Sequence, residues 1–394
     1  MTNLTTQTNS TRGFTILLLG RYLVERAIED GRIGRELALD AFLRFEQIGA
    51  YVRHAAHGVA GDIRGIERVR SRLREHRGLV PIAADSDGYI LGDQRVNGLW
   101  GLFSVSARVS GLIPDGPLGL TSKATKFIEL RYLPALQPAM GHLLRLVARG
   151  GMLDTRTPDA VFAALRTVLA ESFTSAEQDF YGQYLRDGLH VRNAAPGRQQ
   201  RFRELLDRID LSAPSGRRGI VRLRELARPV DRELAYRLDR IVRMEAVLSP
   251  AMSLFDLMLT RRNRKIGDLE EELTRRWGAP VPGVDAAVNQ DLLSEVGSVW
   301  SEVVRACFDR CQRGLAGGNY RESLRALLEW HEHVMHRRGG AAWVRAAADD
   351  GTLDVRYRGA EQELPSSDEL AELWRNGYFI DSLRAITRQL GKAA

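Results

Sequence analysis

Apolar side chains recur every three to four positions along most of this chain, which is the period of an α-helix. Residues 14–30 read as one helix, ended by Gly31, and residues 36–54 as a second. The second carries Leu37, Leu39, Phe42, Leu43, Phe45, Ile48, Tyr51 and Val52 on one broad apolar face. Residues 66–77 predict a short helix after a loop marked by Gly58, Gly61 and Gly65. The helical period then lapses over 78–97. Pro81, Asp85 and Gly88 mark turns there, around candidate strands at 79–83 and 89–91.

Residues 97–132 have an order of their own. An apolar-periodic segment (Leu99, Trp100, Leu102, Phe103, Val105, Val109) closes on Gly111-Leu112-Ile113. A turn follows at 114–117, then Leu118-Gly119-Leu120, and Thr121 or Ser122 caps a helix carrying Lys123 and Lys126. This is the order found around the wing of winged-helix domains. That order points to nucleic acid, but a DNA-reading helix needs a polar outer face, and this segment offers only Asn97, Ser104, Ser106 and Arg108 and is otherwise apolar. A buried helix followed by a hairpin has the same pattern.

Beyond Pro134 and Pro138 the periodicity predicts helices at 139–149, 158–173, 176–187, 198–208, 219–227, 230–248 and 253–262, with a break at Ser249-Pro250. Residues 277–283, rich in proline and glycine, mark a boundary. Helices resume at 285–315 and 319–338, followed by a strand at 353–357, a capped helix from Ser367 and a last helix at 378–390. The expectation is a mainly α, multi-domain protein with small β elements. It comprises a flexible tail (1–13), a winged-helix-like helical domain (14–135), a helical middle domain (136–276) and a C-terminal helical domain with a short strand (284–394).

Charge adds a direction. The chain carries +7, and only four of its 57 basic residues are lysines. Residues 1–150 have net +6, 151–270 net +4 and 271–394 net −3, so any basic surface belongs to the first two-thirds. Three clusters stand out: the arginines of 66–77, Arg217-Arg218 through Arg228, and Arg261-Arg262-Asn263-Arg264-Lys265. Arg68, Arg72, Arg74, Arg108, Lys123, Lys126, Arg261, Arg262, Arg264 and Lys265 are the candidate contacts to double-stranded DNA. The competing reading is a solvated, salt-bridged helix surface, with cations favoured at a helix C-terminus by its dipole.

Nothing names a reaction. The sole Gly-Lys pair, Gly391-Lys392, is followed by Ala393, so no phosphate-cradling P-loop exists. No lysine has an acid two residues earlier, and no G-x-S-x-G occurs. His331, His333 and His336 with Cys307 and Cys311 could make a zinc site if their helices are antiparallel neighbours, but the cysteines sit among core-type residues. No cofactor and no bound metal are expected. The apolar run 14–19 is too short to span a bilayer, no signal peptide is read, and a cytoplasmic protein is expected. Near the end, Trp374, Tyr378 and Phe379 are candidate partner-binding aromatics, with a packed terminal helix as the alternative.

Two segments carry a resemblance. Gly88-Tyr89-Ile90-Leu91 through Leu112-Ile113 to Leu120-Thr121 is similar in order to winged-helix segments in proteins of bacterial anti-phage defence islands. Such proteins include partners of DNA-modification and restriction systems. The stretch from Arg338-Gly339-Gly340 and Trp343 to Trp374 and Asn376-Gly377-Tyr378-Phe379 resembles the C-terminus of uncharacterised helical subunits from such islands. The resemblance covers a minority of the chain and implies a subunit working beside an ATPase or nuclease. The expectation is therefore a non-catalytic, DNA-engaging subunit of a defence or restriction-type complex. The rivals are a helical protein–protein adaptor without DNA contact and a metal-dependent enzyme using the 331–336 histidines.

Overall fold

The computed structural model describes residues 3–116, 118–156, 159–191, 197–209, 216–278, 280–285, 292–294, 300–359 and 363–391. Lys392 and parts of the expected 285–315 helix lie outside them. The described residues are mainly α-helical, with two small two-stranded sheets. The chain divides into two compact units, residues 1–204 with 378–394, and residues 205–377. The borders expected near 135 and 276–284 are not where it divides.

The first unit is built on α1 (Thr11–Glu29). Phe14, Leu17, Leu18, Leu19 and Leu23 are fully buried. Residues 11–20 are buried on every side, so this half of the helix is enclosed by others. α2 (Ala38–His57) crosses it closely because of two glycines. A Cβ at Gly20 would lie 2.8 Å from the Phe45 ring, and one at Gly49 would lie 2.9 Å from Ile16. After α3 (Ile66–Glu75), strand β1 (Leu79–Ile82) pairs antiparallel with β2 (Gly151–Asp154), Leu79 opposite Asp154 and Ile82 opposite Gly151. Between them run α4 (Gln94–Asn97), α5 (Leu99–Val109), α6 (Ser122–Arg131), α7 (Leu133–Leu136) and α8 (Met140–Arg149). Then come α9 (Ala160–Val168), α10 (Ser175–Tyr181) and α11 (Arg198–Leu206), in which the division falls.

The expected wing is not formed. Among the described residues between α5 and α6 there is no strand. Thr121 closes a loop instead, donating its N–H to Leu112 O (3.1 Å) and its hydroxyl to Gly111 O (3.0 Å). Residues 89–91 are not a strand either, and the Ile90 N–H donates to the Gln94 side chain (3.2 Å). The partner of β1 comes from beyond α8. The expected tail is also replaced by packed chain. Asn3, Leu4, Thr8 and Arg12 are buried, and Ser10 caps α1 by accepting from the Gly13 N–H (2.9 Å). The last helix, Tyr378–Leu390, secures this start: Gln389 accepts from Thr11 N (2.7 Å) and donates to Asn9 O (2.8 Å).

The second unit comprises α12 (Arg217–Ala227), α13 (Arg232–Thr260), α14 (Ile266–Trp277), α15 (Glu302–Gly317), α16 (Tyr320–Arg337), the hairpin β3 (Val344–Ala346) and β4 (Leu353–Val355), and α17 (Ser367–Glu372). Val247, Leu254, Met258, Leu273, Phe308, Leu324 and Leu353 form its core. The break expected at Pro250 is absent, and α13 runs through it as one helix of 29 residues. A proline inside a helix costs about 3 kcal/mol. Val247, Ala251 and Leu254 are buried on both sides of it, and their burial outweighs that cost. α15 and α16 form an antiparallel pair across Gly318, which has left-handed backbone (φ 71°).

Candidate interaction surfaces

The structure separates the residues expected to contact DNA. On α5, Ser104 and Ser106 are buried, and half-buried Arg108 donates to Pro114 O (3.4 Å). That helix packs into its own unit and presents no polar reading face. Lys123 and Lys126 are exposed on α6. On α3, Arg72 is a strut, donating to Gly88 O (2.5 Å) and the Tyr51 hydroxyl (3.4 Å). Arg68 and Arg74 are exposed. Among the described residues no carboxylate pairs with either, nor with Lys123 or Lys126.

The densest basic run is largely neutralised. Arg261 pairs with Glu272 (3.1 Å), Arg264 with Asp268 (3.5 Å) and Lys265 with Asp350 (3.2 Å). Hydrogen bonds from Thr352, then Lys265, hold the Asp350 carboxyl down at about 2. The run is also docked on β4: Asn263 donates its N–H to Leu353 O, and Leu353 donates back to Arg264 O (both 2.9 Å). Arg262 is the one cation of this run without a carboxylate partner among the described residues. The 217–228 cluster is answered likewise, by Arg218–Glu372 (3.1 Å), Arg222–Glu225 (3.3 Å) and Arg224–Asp239 (2.6 Å).

The helix pair α15–α16 sets the cysteines apart from the histidines. Its antiparallel register sets His333 Nε2 beside Ser301 Oγ (3.3 Å) and Cys311 O beside Ser323 Oγ (3.1 Å). The cysteines and histidines therefore sit at different levels. Cys307 and Cys311 are buried, and burial pushes their thiols up to about 11 and about 12. Among the described residues no three His, Cys, Asp or Glu side chains gather where they could hold a metal ion.

The C-terminal aromatics fall in different units. Trp374 belongs to the second unit, whereas Tyr378 and Phe379 belong to the first. All three are half-buried, and Phe379 packs edge-on against Phe202 at 5.6 Å. The segment between Trp374 and Tyr378 is anchored by buried Glu245, which accepts from Asn376 Nδ2 (2.6 Å) and Arg375 N (3.3 Å).

An apolar groove in the second unit was not expected. α13 supplies Leu248, Ala251, Met252 and Phe255, and α16 supplies Leu327, Trp330, His331 and Val334. Both sets have the spacing i, i+3, i+4, i+7, the stripe one helix presents to another. The groove is open and encloses about 280 Å³. His331 adds no charge to it: its Nε2 accepts from the Trp343 N–H (2.9 Å), its ring packs on Phe255 (4.8 Å), and burial lowers its pKa. The sequence shows both stripes, yet only the fold shows that they line one groove.

The first unit's notable polar groups are inside it. Arg12 and Glu177 pair at 2.5 Å with side chains 2% and 3% exposed, and Glu177 also accepts from the Tyr132 hydroxyl (2.8 Å). Arg12 donates further to Ala170 O and Ser172 O (2.6 and 2.7 Å). Glu46 is buried beside a cavity of about 20 Å³ and accepts from Leu99 N (2.7 Å) and Gln94 Nε2 (3.0 Å). Burial pushes its carboxyl up to about 7 against the pull of those donors. Among the described residues no helix is long and apolar enough to cross a membrane. Comparison of the chain with protein-family models, curated proteins and solved structures finds no match.

Proposed function

We propose that this chain is a helical adaptor, a subunit of a bacterial anti-phage defence complex that holds a partner protein on its 205–377 unit. The groove between α13 and α16 carries this reading. Two helices each turn an apolar i, i+3, i+4, i+7 stripe toward one open trough, the arrangement that helix-in-groove recognition uses. The defence setting rests on the resemblance of the 88–121 and 338–383 segments, which also supplies the partner's class, an ATPase or nuclease.

The test is co-expression with the proteins encoded beside it, followed by purification of this chain. The wild type is expected to retain a partner. Val334→Glu, which puts a carboxylate in the groove, is expected to lose it while keeping the helical circular-dichroism signal. Undiminished recovery with that folded variant would sink the adaptor reading.

Duplex DNA contact is a second reading, favoured by the exposed, unpaired Arg68 and Arg74 on α3 with Lys123 and Lys126 on α6. It predicts binding that weakens with salt. Each phosphate contact removed by Arg68→Ala or Arg74→Ala should lower the log–log salt slope by about 0.9. Equal slopes for wild type and double variant would remove α3 from the interface.

A further inference from the structure

We infer that the groove takes an amphipathic α-helix bearing acidic residues, contributed by another protein; this rests on the adaptor reading above. The α16 stripe, followed along its helix, gives the polarity of the trough. At one end it runs into buried Leu324, so that end is closed by the core. At the other it continues from Val334 to Arg337 and Arg338, three and four residues on and therefore on the same face. Both arginines are exposed, and among the described residues neither pairs with a carboxylate.

The trough is thus apolar along its length and cationic at its open end. Four stripe positions spanning eight residues cover about 10 Å of helix axis, two turns of a bound helix. An occupant must match both features. Its apolar residues fall at i, i+3, i+4 and i+7, and carboxylates on the adjoining turn meet Arg337 and Arg338. A lipid chain or a flat apolar surface would satisfy the trough and leave the arginines unanswered. A basic helix would place like charges together.

The experiment uses the full chain and three stapled helical peptides of about 14 residues. One has leucines at i, i+3, i+4 and i+7 on a glutamate-rich background, the second has lysines in place of the glutamates, and the third scrambles the first. Titration calorimetry is expected to give the acidic peptide a Kd on the order of 10 μM. The lysine twin should bind at least roughly tenfold more weakly and the scramble not at all. The Arg337→Glu/Arg338→Glu variant should reverse the preference, with its melting curve unchanged.

Equal binding of the acidic and lysine peptides, or binding of the scramble, overturns the acidic-helix inference while leaving an adaptor groove. Binding of neither leucine peptide overturns both readings. Self-association in sedimentation that Val334→Glu abolishes would make a second copy the occupant and overturn the inference as well.

Discussion

Arg12 and Met252 stand in opposite situations. Arg12, in the first unit, is a cation with its side chain 2% exposed, and each nitrogen of its guanidinium meets an acceptor. Met252, in the second, is an apolar side chain 38% exposed on the wall of an open trough. The same contrast holds around each. Arg53 is buried with Asp62 (2.9 Å) and Glu171 (3.0 Å) as its partners, and Glu46 is buried accepting from Gln94, so the first unit keeps polar groups inside and partnered. The second unit keeps most of its ion pairs at the surface and carries the open apolar trough. Buried, fully partnered polar groups hold one arrangement of helices. Uncovered apolar stripes are where a further helix can add.

The contrast can be broken most sharply at Arg12. Arg12→Met keeps much of the volume but removes the partner that holds the Glu177 carboxyl below its ordinary range against burial. Ala170 O and Ser172 O lose their donors as well. Stranding one member of a buried pair costs about 3–5 kcal/mol. Urea unfolding should show that loss; a change below about 1 kcal/mol would class the pair with exposed ones and erase the distinction.

Glu46 gives the next largest effect, and it depends on pH. Its carboxyl titrates at about 7 in the fold against 4.5 ordinarily, so the folded chain holds the proton more tightly between those values. Stability from this group is therefore present at pH 4.5 and below, and is lost as pH rises through 7. The difference between pH 5 and pH 8 is about 3 kcal/mol. Glu46→Gln cannot ionise and should flatten that slope. An unchanged slope in the variant would place the proton elsewhere.

The helical character was legible because α2 and α16 bury faces that recur at the helical period. β1 was legible at 79–82 from the lapse of the helical period there, in spite of Pro81, and β4 from Leu353 and Val355. The pairing of β1 with β2 was not. Gly151–Asp154 is four residues long, and its pairings span 75 positions at Leu79–Asp154 and 69 at Ile82–Gly151, so no local pattern encodes it. Winged-helix order in 97–132 misled for a related reason: apart from Arg108, the polar residues of α5 are serines, which a packed helix buries as readily as it exposes them. The basic run 261–265 looked like a free cationic surface because Glu272 and Asp350 reach it only through the fold. The cysteines and histidines of α15 and α16 could be assigned to helix faces, but their levels across the pair depend on where Gly318 reverses the chain.

The smallest expected effect tests the other side of the contrast. Met252→Glu places a charge on an exposed wall of the groove, where water can solvate it. Beyond its neighbours in the trough, the methionine gives up a 3.6 Å contact from Asn376 Nδ2 to its sulfur. A surface change of this kind shifts stability by about 0.5 kcal/mol or less, several-fold below the effect at Arg12. The helix side of the ledger is nearly neutral, since methionine and glutamate have similar helix propensities. Urea midpoints of Met252→Glu and wild type should therefore coincide at pH 7, while capture of the acidic helical peptide falls because a carboxylate now faces its apolar stripe and its glutamates. A loss of stability comparable with Arg12→Met would mean that the α13 wall is closed by the chain itself. The groove would then be core, and the distinction between a sealed unit and an open one would fail.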